Sequence, residues 1–212
     1  QLHGDLAGKR LSWAAGAFGG GGANATSNED GKLLYAGRLS GTAWKGSVGG
    51  AEVALSAGVN GFVSEEKGLA MPADFLLDST PVTLAFDNLL TGRRSGAGAD
   101  VQLVAGRLEL EAEALLVRFE QEPGGPGRDF DAASFSLLAG YEAIPKRLQL
   151  FGRVDRFDPS RDRPSDETTT VTLGGSWFLR GHDLKLQANY LGSDAPGLPR
   201  QHKVLARLQA AF

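Results

Sequence analysis

The sequence predicts an all-β protein, an antiparallel up-and-down β-barrel of about ten strands that crosses a membrane. Three observations predict it. Segments of about ten residues alternate apolar with polar or small side chains along the chain. The connections between them are short and long by turns. No stretch approaches the roughly 18 consecutive apolar residues of a membrane helix, so a bilayer crossing requires a closed barrel, in which every backbone group is paired.

The alternating segments fall at 9–18, 31–43, 51–62, 94–105, 108–120, 130–143, 148–157, 168–179, 184–192 and 203–212. In the last, Val204, Ala206, Leu208, Ala210 and Phe212 share one face, and Lys203, Leu205, Arg207, Gln209 and Ala211 the other. Leu184, Leu186, Ala188 and Tyr190 oppose Lys185, Gln187 and Asn189 in the same way. Leu108, Leu110, Ala112 and Ala114 oppose Glu109, Glu111 and Glu113. Past Leu115 the run Leu115-Leu116-Val117-Arg118 breaks phase, which predicts a bulge or register change.

Short connections are expected at 106–107, 144–147, 180–183 and, somewhat longer, 45–50; long ones at 19–30, 64–93, 121–129, 158–167 and 193–202. In an outer-membrane barrel the short turns are periplasmic and the long loops extracellular. With ten strands both ends of the chain lie on the short-turn side. The whole of 1–212 reads as one barrel domain, with 64–93 a long loop that folds into the lumen. Val82 to Phe86 could instead add a hairpin and make twelve strands.

Aromatic residues mark two girdles: Trp44, Tyr141, Trp177, Phe178 and Phe212 near the short-turn ends, Tyr35, Phe62, Phe119, Phe157 and Tyr190 near the outer ends. The plainer reading is that aromatics favour strands.

Alternation alone does not choose between a soluble barrel with its apolar face inward and a membrane barrel with that face outward. Length favours the membrane, since ten-residue strands suit a tilted crossing of hydrocarbon while soluble strands average about five or six. The polar faces then line a lumen. Arg10, Arg38, Lys185, Lys203 and Arg207 form a basic wall once the last strand closes on the first, and Asp100, Glu109, Glu111, Glu113 and Glu142 an acidic wall across from it. Opposed walls impose a transverse field on passing solutes, and an Arg and Lys wall lowers the barrier for anions. Alternatively these charges pair and fill a narrow barrel, since about ten strands is close to the eight whose interior side chains can fill.

Composition narrows the function further. A net charge of -3 offers no basic excess for nucleic acid. The lack of cysteine excludes a disulfide framework and a thiolate metal site. Opening at Gln1 with no charged and apolar leader, the chain reads as mature or trimmed material. His3, His182 and His202 have no metal-site spacing, so each reads as an exposed residue. The glycine run at 19–22 leads to Asn24, Ser27 and Asn28 rather than a helix, which fails the context of a phosphate-cradling loop. The Glu109, Glu111, Glu113 row could serve acid catalysis or calcium, but reads first as a solvated face. No cofactor and no chemical step are expected, so the chain does not read as an enzyme.

Several stretches resemble the phosphate-selective porin O and P family of Gram-negative outer membranes: RLSWAAGAFGGGG at 10–22, YAGRLSGTAW at 35–44, YEAIPKRLQLFGRVDRFDPS at 141–160, TTTVTLGGSWFLRGHDLKLQANY at 168–190 and HKVLARLQAAF at 202–212. The resemblance implies a trimeric, anion-selective pore lined by Arg and Lys, of about 16 strands, against ten read in this chain. The terminal Phe212, after alternating apolar positions, resembles the C-terminal signal by which outer-membrane barrels are recognised for assembly; the plainer reading is an interfacial anchor.

The expected function is therefore a porin-like channel of the bacterial outer membrane. It passes small hydrophilic solutes by diffusion, with anions or phosphate favoured. The alternative is a narrow or plugged structural barrel that serves as a membrane anchor or assembly partner. The expected partners are outer-membrane lipid and lipopolysaccharide, the assembly machinery and other copies in a homo-oligomer.

Overall fold

The structure, a computed structural model, describes residues 1–8, 10–19, 31–70, 89–124, 129–181 and 183–210, without the side chains of 68–70 and 89–90. These residues form one antiparallel sheet of eleven strands in chain order, with no helix among them. The strands are β1 (Leu2–Leu6), β2 (Leu11–Gly19), β3 (Leu33–Val48), β4 (Ala51–Ala70), β5 (Leu89–Ala105), β6 (Leu108–Gln121), β7 (Phe130–Ile144), β8 (Leu148–Asp158), β9 (Thr168–Arg180), β10 (Leu184–Asp194) and β11 (Gln201–Ala210). Each pairs with its sequence neighbours, and β1 and β11 are the two edges of an open sheet. An all-β up-and-down architecture compatible with a barrel is therefore observed.

Connection lengths alternate as the sequence predicts. The strand ends joined through 7–10, 49–50, 106–107, 145–147 and 181–183 lie at one end of the sheet; those joined through 20–32, 71–88, 122–129, 159–167 and 195–200 lie at the other. Two connections, 49–50 and 106–107, have two residues; at Gly49-Gly50 the φ values of 60° and 83° suit the mirror-image turns of two-residue hairpins. β3 thus runs on to Val48, and the expected loop at 45–50 shrinks to two residues.

Four sequence expectations are corrected. The first strand is not 9–18: Leu2–Leu6 precede it as a separate strand, and Arg10 lies in the turn between the two. That makes eleven strands and puts the outer end of β1 and the last residues of β11 at opposite ends of the sheet. Second, the β4–β5 ladder continues from Ser64↔Arg94 to Ala70↔Leu89, so 64–70 and 89–93 are strand rather than loop. The remainder of that segment, including the proposed hairpin at Val82 to Phe86, lies outside the described residues.

Third, β6 has no bulge at Leu115. Its pairing with β5 and β7 is unbroken from Leu108 to Phe119. The phase holds while the composition of the polar face changes, because Leu115, Val117 and Phe119 continue the Glu109–Glu111–Glu113 side and turn it apolar near the long-loop end. There Phe119 stacks on Phe130 with centroids 4.5 Å apart and packs with Ala132 and Val117. Register shifts fall instead near Ala43, Lys67, Ala143 and Leu179.

Fourth, only part of each aromatic girdle stands on the apolar face. Trp44, Tyr141 and Trp177 are exposed there near the short turns, and Tyr35 and Tyr190 near the long loops. Phe62, Phe119 and Phe157 lie opposite Ala36, Phe130 and Thr168 on the polar side, and Phe178 lies opposite Lys185. Phe212 lies outside the described residues.

Candidate functional site: the polar face of the sheet

Directly opposed residues of an antiparallel sheet share a face, so the register sorts the chain into two surfaces. One carries Leu39, Val59, Val101, Leu116, Leu137, Val154, Leu173, Leu186, Val204 and Leu208, all exposed. No charged side chain interrupts it on β6 from Leu108 to Leu116, or on the facing stretch of β7 from Ala133 to Tyr141. Its charges gather toward the long-loop end, where Arg118 bridges Glu120 and Asp131 at 3.4 and 3.9 Å and Arg156 meets Glu167 at 2.8 Å.

The other surface is polar and partly enclosed. Ser64 is 1% exposed and Ser176 5%, while Val204 on the apolar side is 77% exposed. Arg38 on β3 and Arg153 on β8 lie five strand spacings apart, roughly 24 Å on a flat sheet, yet both border one cavity of about 360 Å³. The sheet is therefore rolled, with its polar face inside.

Asp100, Gln102, Glu111, Glu113 and Ser136 complete the polar lining of that cavity. Arg38 donates to both carboxylate oxygens of Asp100, at 2.6 and 3.0 Å. The two residues are on β3 and β5, and β4 between them contributes Gly58 at the crossing point. A Cβ on Gly58 would stand 2.5 Å from the Arg38 Nη2 and 2.9 Å from the Asp100 Oδ1. A second contact of this kind spans β7: Gln149 Nε2 donates to Glu109 Oε2 at 3.1 Å over Gly140. Gln102 Nε2 donates to Glu109 at 2.9 Å and to Glu111 at 2.8 Å. Arg153 holds Asp155 two residues along its own strand at 2.6 Å.

The ten expected site residues distribute as follows. Asp100, Glu109, Glu111 and Glu113 lie together on the polar face of β5 and β6. Lys185, Lys203 and Arg207 share that face on β10 and β11, opposite Phe178, Leu191 and Gln187. Arg38 is not in an opposed basic wall, because it is ion-paired with Asp100. Arg10 is an exposed turn residue whose carbonyl accepts from the Thr42 N–H at 3.2 Å. Glu142 accepts from the Lys146 N–H and so closes the 145–147 turn.

Arg153 is not among the expected wall residues; it stands with Asp155 on the polar face of β8, opposite Leu138, and only the roll of the sheet brings it to the Arg38 cavity. Near the long-loop end a buried group stands apart. The Glu66 carboxylate, with 1% of its side chain exposed, accepts from Ser64 and pairs with Arg94 at 2.8 Å. The Arg94 guanidinium carbon sits 5.6 Å from the centre of the Phe62 ring. Among the described residues no three His, Cys, Asp or Glu side chains are placed so that they could hold a metal ion.

The fold and this face define a rolled, amphipathic antiparallel sheet, apolar outside and charged within. No protein-family model, curated protein or solved structure matches the chain.

Proposed function

We propose that the chain is a β-barrel of the bacterial outer membrane that works as a porin-like channel for passive diffusion of small hydrophilic solutes. The observation that carries this reading is the exposed apolar band outside a rolled sheet, free of charge on β6 from Leu108 to Leu116 and on the facing stretch of β7, with a row of charged side chains on the inner face. A soluble sheet would bury those side chains, since contiguous exposed apolar patches beyond a few hundred Å² are rare on soluble monomers. On β6 the uncharged outer face runs from Leu108 to Leu116. That is about 27 Å along the strand; at a tilt near 40° it makes a band about 21 Å tall, against about 25 Å for outer-membrane barrels.

The lumen reading assigns solute contact to the acidic group on β5 and β6 and to Lys185, Lys203 and Arg207 on β10 and β11. The three cations support a preference for anions, phosphate included, which is also what the resemblance to the phosphate-selective porin O and P family implies. Lipopolysaccharide meets the charged long-loop rim, the assembly machinery recognises Phe212, and copies associate through the apolar face.

A second reading, a narrow or plugged structural barrel, draws on the Arg38–Asp100 and Gln149–Glu109 contacts, which tie next-nearest strands together inside the sheet. Conductance separates the two. The channel reading requires stable current in planar bilayers, with selectivity moving toward cations in Arg38→Glu, Lys203→Glu and Arg207→Glu. A chain that inserts and passes no current is the structural barrel.

A further inference from the structure

The charges that border the Arg38 cavity do not all satisfy one another. Arg38 and Asp100 are matched across Gly58, two nitrogens on two oxygens. That leaves Arg153 on β8 facing Glu111 and Glu113 on β6 over the same cavity. Arg153 places both Nε and Nη2 on a single oxygen of Asp155, at 2.7 and 2.6 Å. Its Nη1 has no partner among the described residues. Glu111 accepts one bond, from Gln102, and Glu113 accepts none from the described residues. One side of the cavity thus has a cationic donor to spare, and the other has carboxylate oxygens to spare.

Register fixes how far apart these two sides are. Glu111 lies opposite Leu138, and Leu138 opposite Arg153; in the neighbouring row Glu113 lies opposite Ser136, and Ser136 opposite Asp155. β6 and β8 are therefore two strand spacings apart, roughly 9–10 Å on a flat sheet. An α-amino acid has about 3 Å between its ammonium nitrogen and its carboxylate oxygens. Adding a hydrogen bond of about 2.9 Å at each end gives about 9 Å. The cavity volume of about 360 Å³ lies at the low end of the roughly 300–1,000 Å³ of small-molecule sites. Ser136, between the two sides, has a hydroxyl that can donate to a carboxylate or accept from an ammonium.

We propose that this cavity is a subsite for zwitterionic solutes, free α-amino acids with small side chains, with the ammonium on Glu113 and Glu111 and the carboxylate on Arg153. As a step in passage through a lumen the proposal rests on the channel reading given above; as a binding site it rests on the geometry alone. A simple anion gains Arg153 but must stand beside two carboxylates. A simple cation gains those carboxylates but stands beside the guanidinium groups of Arg38 and Arg153. A solute with both charges meets its opposite at each end, through charge-assisted hydrogen bonds, which are the stronger kind.

Two measurements on the full chain test this: equilibrium dialysis of the detergent-folded protein against radiolabelled L-alanine, and ion current through the same protein in planar bilayers. L-Alanine should bind saturably, and at saturation it should lower the current by occupying the lumen. Glu113→Gln and Arg153→Gln should each weaken binding about tenfold or more, the scale of one lost charge-assisted bond. Acetate and ethylammonium, which carry one charge each, should compete at least about tenfold less well than unlabelled L-alanine. Glu113 is exposed and has no partner to lose, so Glu113→Gln reports binding without a folding defect. Current with no L-alanine binding, or binding that neither variant weakens, overturns the subsite and leaves the channel reading standing. Ethylammonium or acetate competing as well as L-alanine makes this a site for a single charge and overturns the zwitterion. Saturable, variant-sensitive binding in a protein that passes no current upholds the subsite and overturns the channel reading.

Discussion

Arg38 reaches Asp100 across a whole strand, and it does so because the strand between them has no side chain there. Gly58 on β4 leaves the space in which the guanidinium lies, with its Nη1 and Nη2 on the two carboxylate oxygens. The pair stabilises little, since the Arg38 side chain is 44% and that of Asp100 31% exposed and such pairs contribute about 0.2–1 kcal/mol. Its weight lies in removing two opposite charges from the field of the polar face.

That arrangement predicts opposite selectivity changes from neighbouring substitutions. Asp100→Asn frees the Arg38 cation and should move the reversal potential in a salt gradient toward anion preference. Arg38→Gln frees the carboxylate and should move it toward cations. Gly58→Val places methyl groups where the guanidinium lies and should disturb the current without changing net charge. Equal reversal potentials in the first two variants would show that the pair does not face permeating ions.

The apolar face predicts an asymmetry within single strands. Leu137 and Ser136 are neighbours on β7 that face opposite sides, Leu137 toward Val154 and Ser136 toward Asp155. Leu137→Arg should lower the stability of the lipid-folded protein by about 2–4 kcal/mol, the cost of an arginine facing mid-bilayer lipid. Ser136→Arg should cost far less. Urea unfolding from vesicles measures both, and similar losses would place both positions in one environment.

The buried Glu66–Arg94 pair predicts a double-mutant result. Arg94→Ala leaves the Glu66 carboxylate enclosed with only Ser64 as partner, at a cost of about 3–5 kcal/mol. Arg94→Met together with Glu66→Gln removes both charges and should recover most of that loss. Unfolding midpoints of the two singles and the double give the coupling.

Asp166, in the 159–167 connection, predicts a pH dependence. Burial, and then the charge of Asp158, raise its carboxyl above the usual range, and its Oδ1 has no hydrogen-bond partner among the described residues. The folded state therefore holds this proton more tightly than the unfolded state does, so stability falls as pH rises from the ordinary aspartate value of about 4 through the raised one. Asp166→Asn should abolish that decline and raise the unfolding midpoint at neutral pH relative to the parent, with little difference at pH 3. A midpoint difference independent of pH would remove the carboxyl as its cause.

Much of the architecture is legible in local pattern. Alternation along β10 and β11 is read from single residues, because successive side chains of any strand point to opposite faces. The short turns at Gly106-Arg107 and near Lys146 follow from the glycine and proline beside them. The phase at Leu115 was harder to read. An apolar run on β6 looks like a slipped register in isolation, and only the partners Gly98 and Ser134 show that no slip occurs.

Sequence alone thus determined which side chains share a face, since that follows from a period of two, and most of the places where the chain reverses. The rolled sheet decided which charges meet. Arg38 with Asp100, Glu109 with Gln149 and Arg153 at the Arg38 cavity depend on register and curvature, and on glycines in intervening strands whose neighbours are remote in the chain. Pairing of that kind is set by distances across the sheet, and no spacing along one strand encodes them. The added strand Leu2–Leu6 was likewise decided by its ladder to β2, because five residues are too few for alternation to stand out.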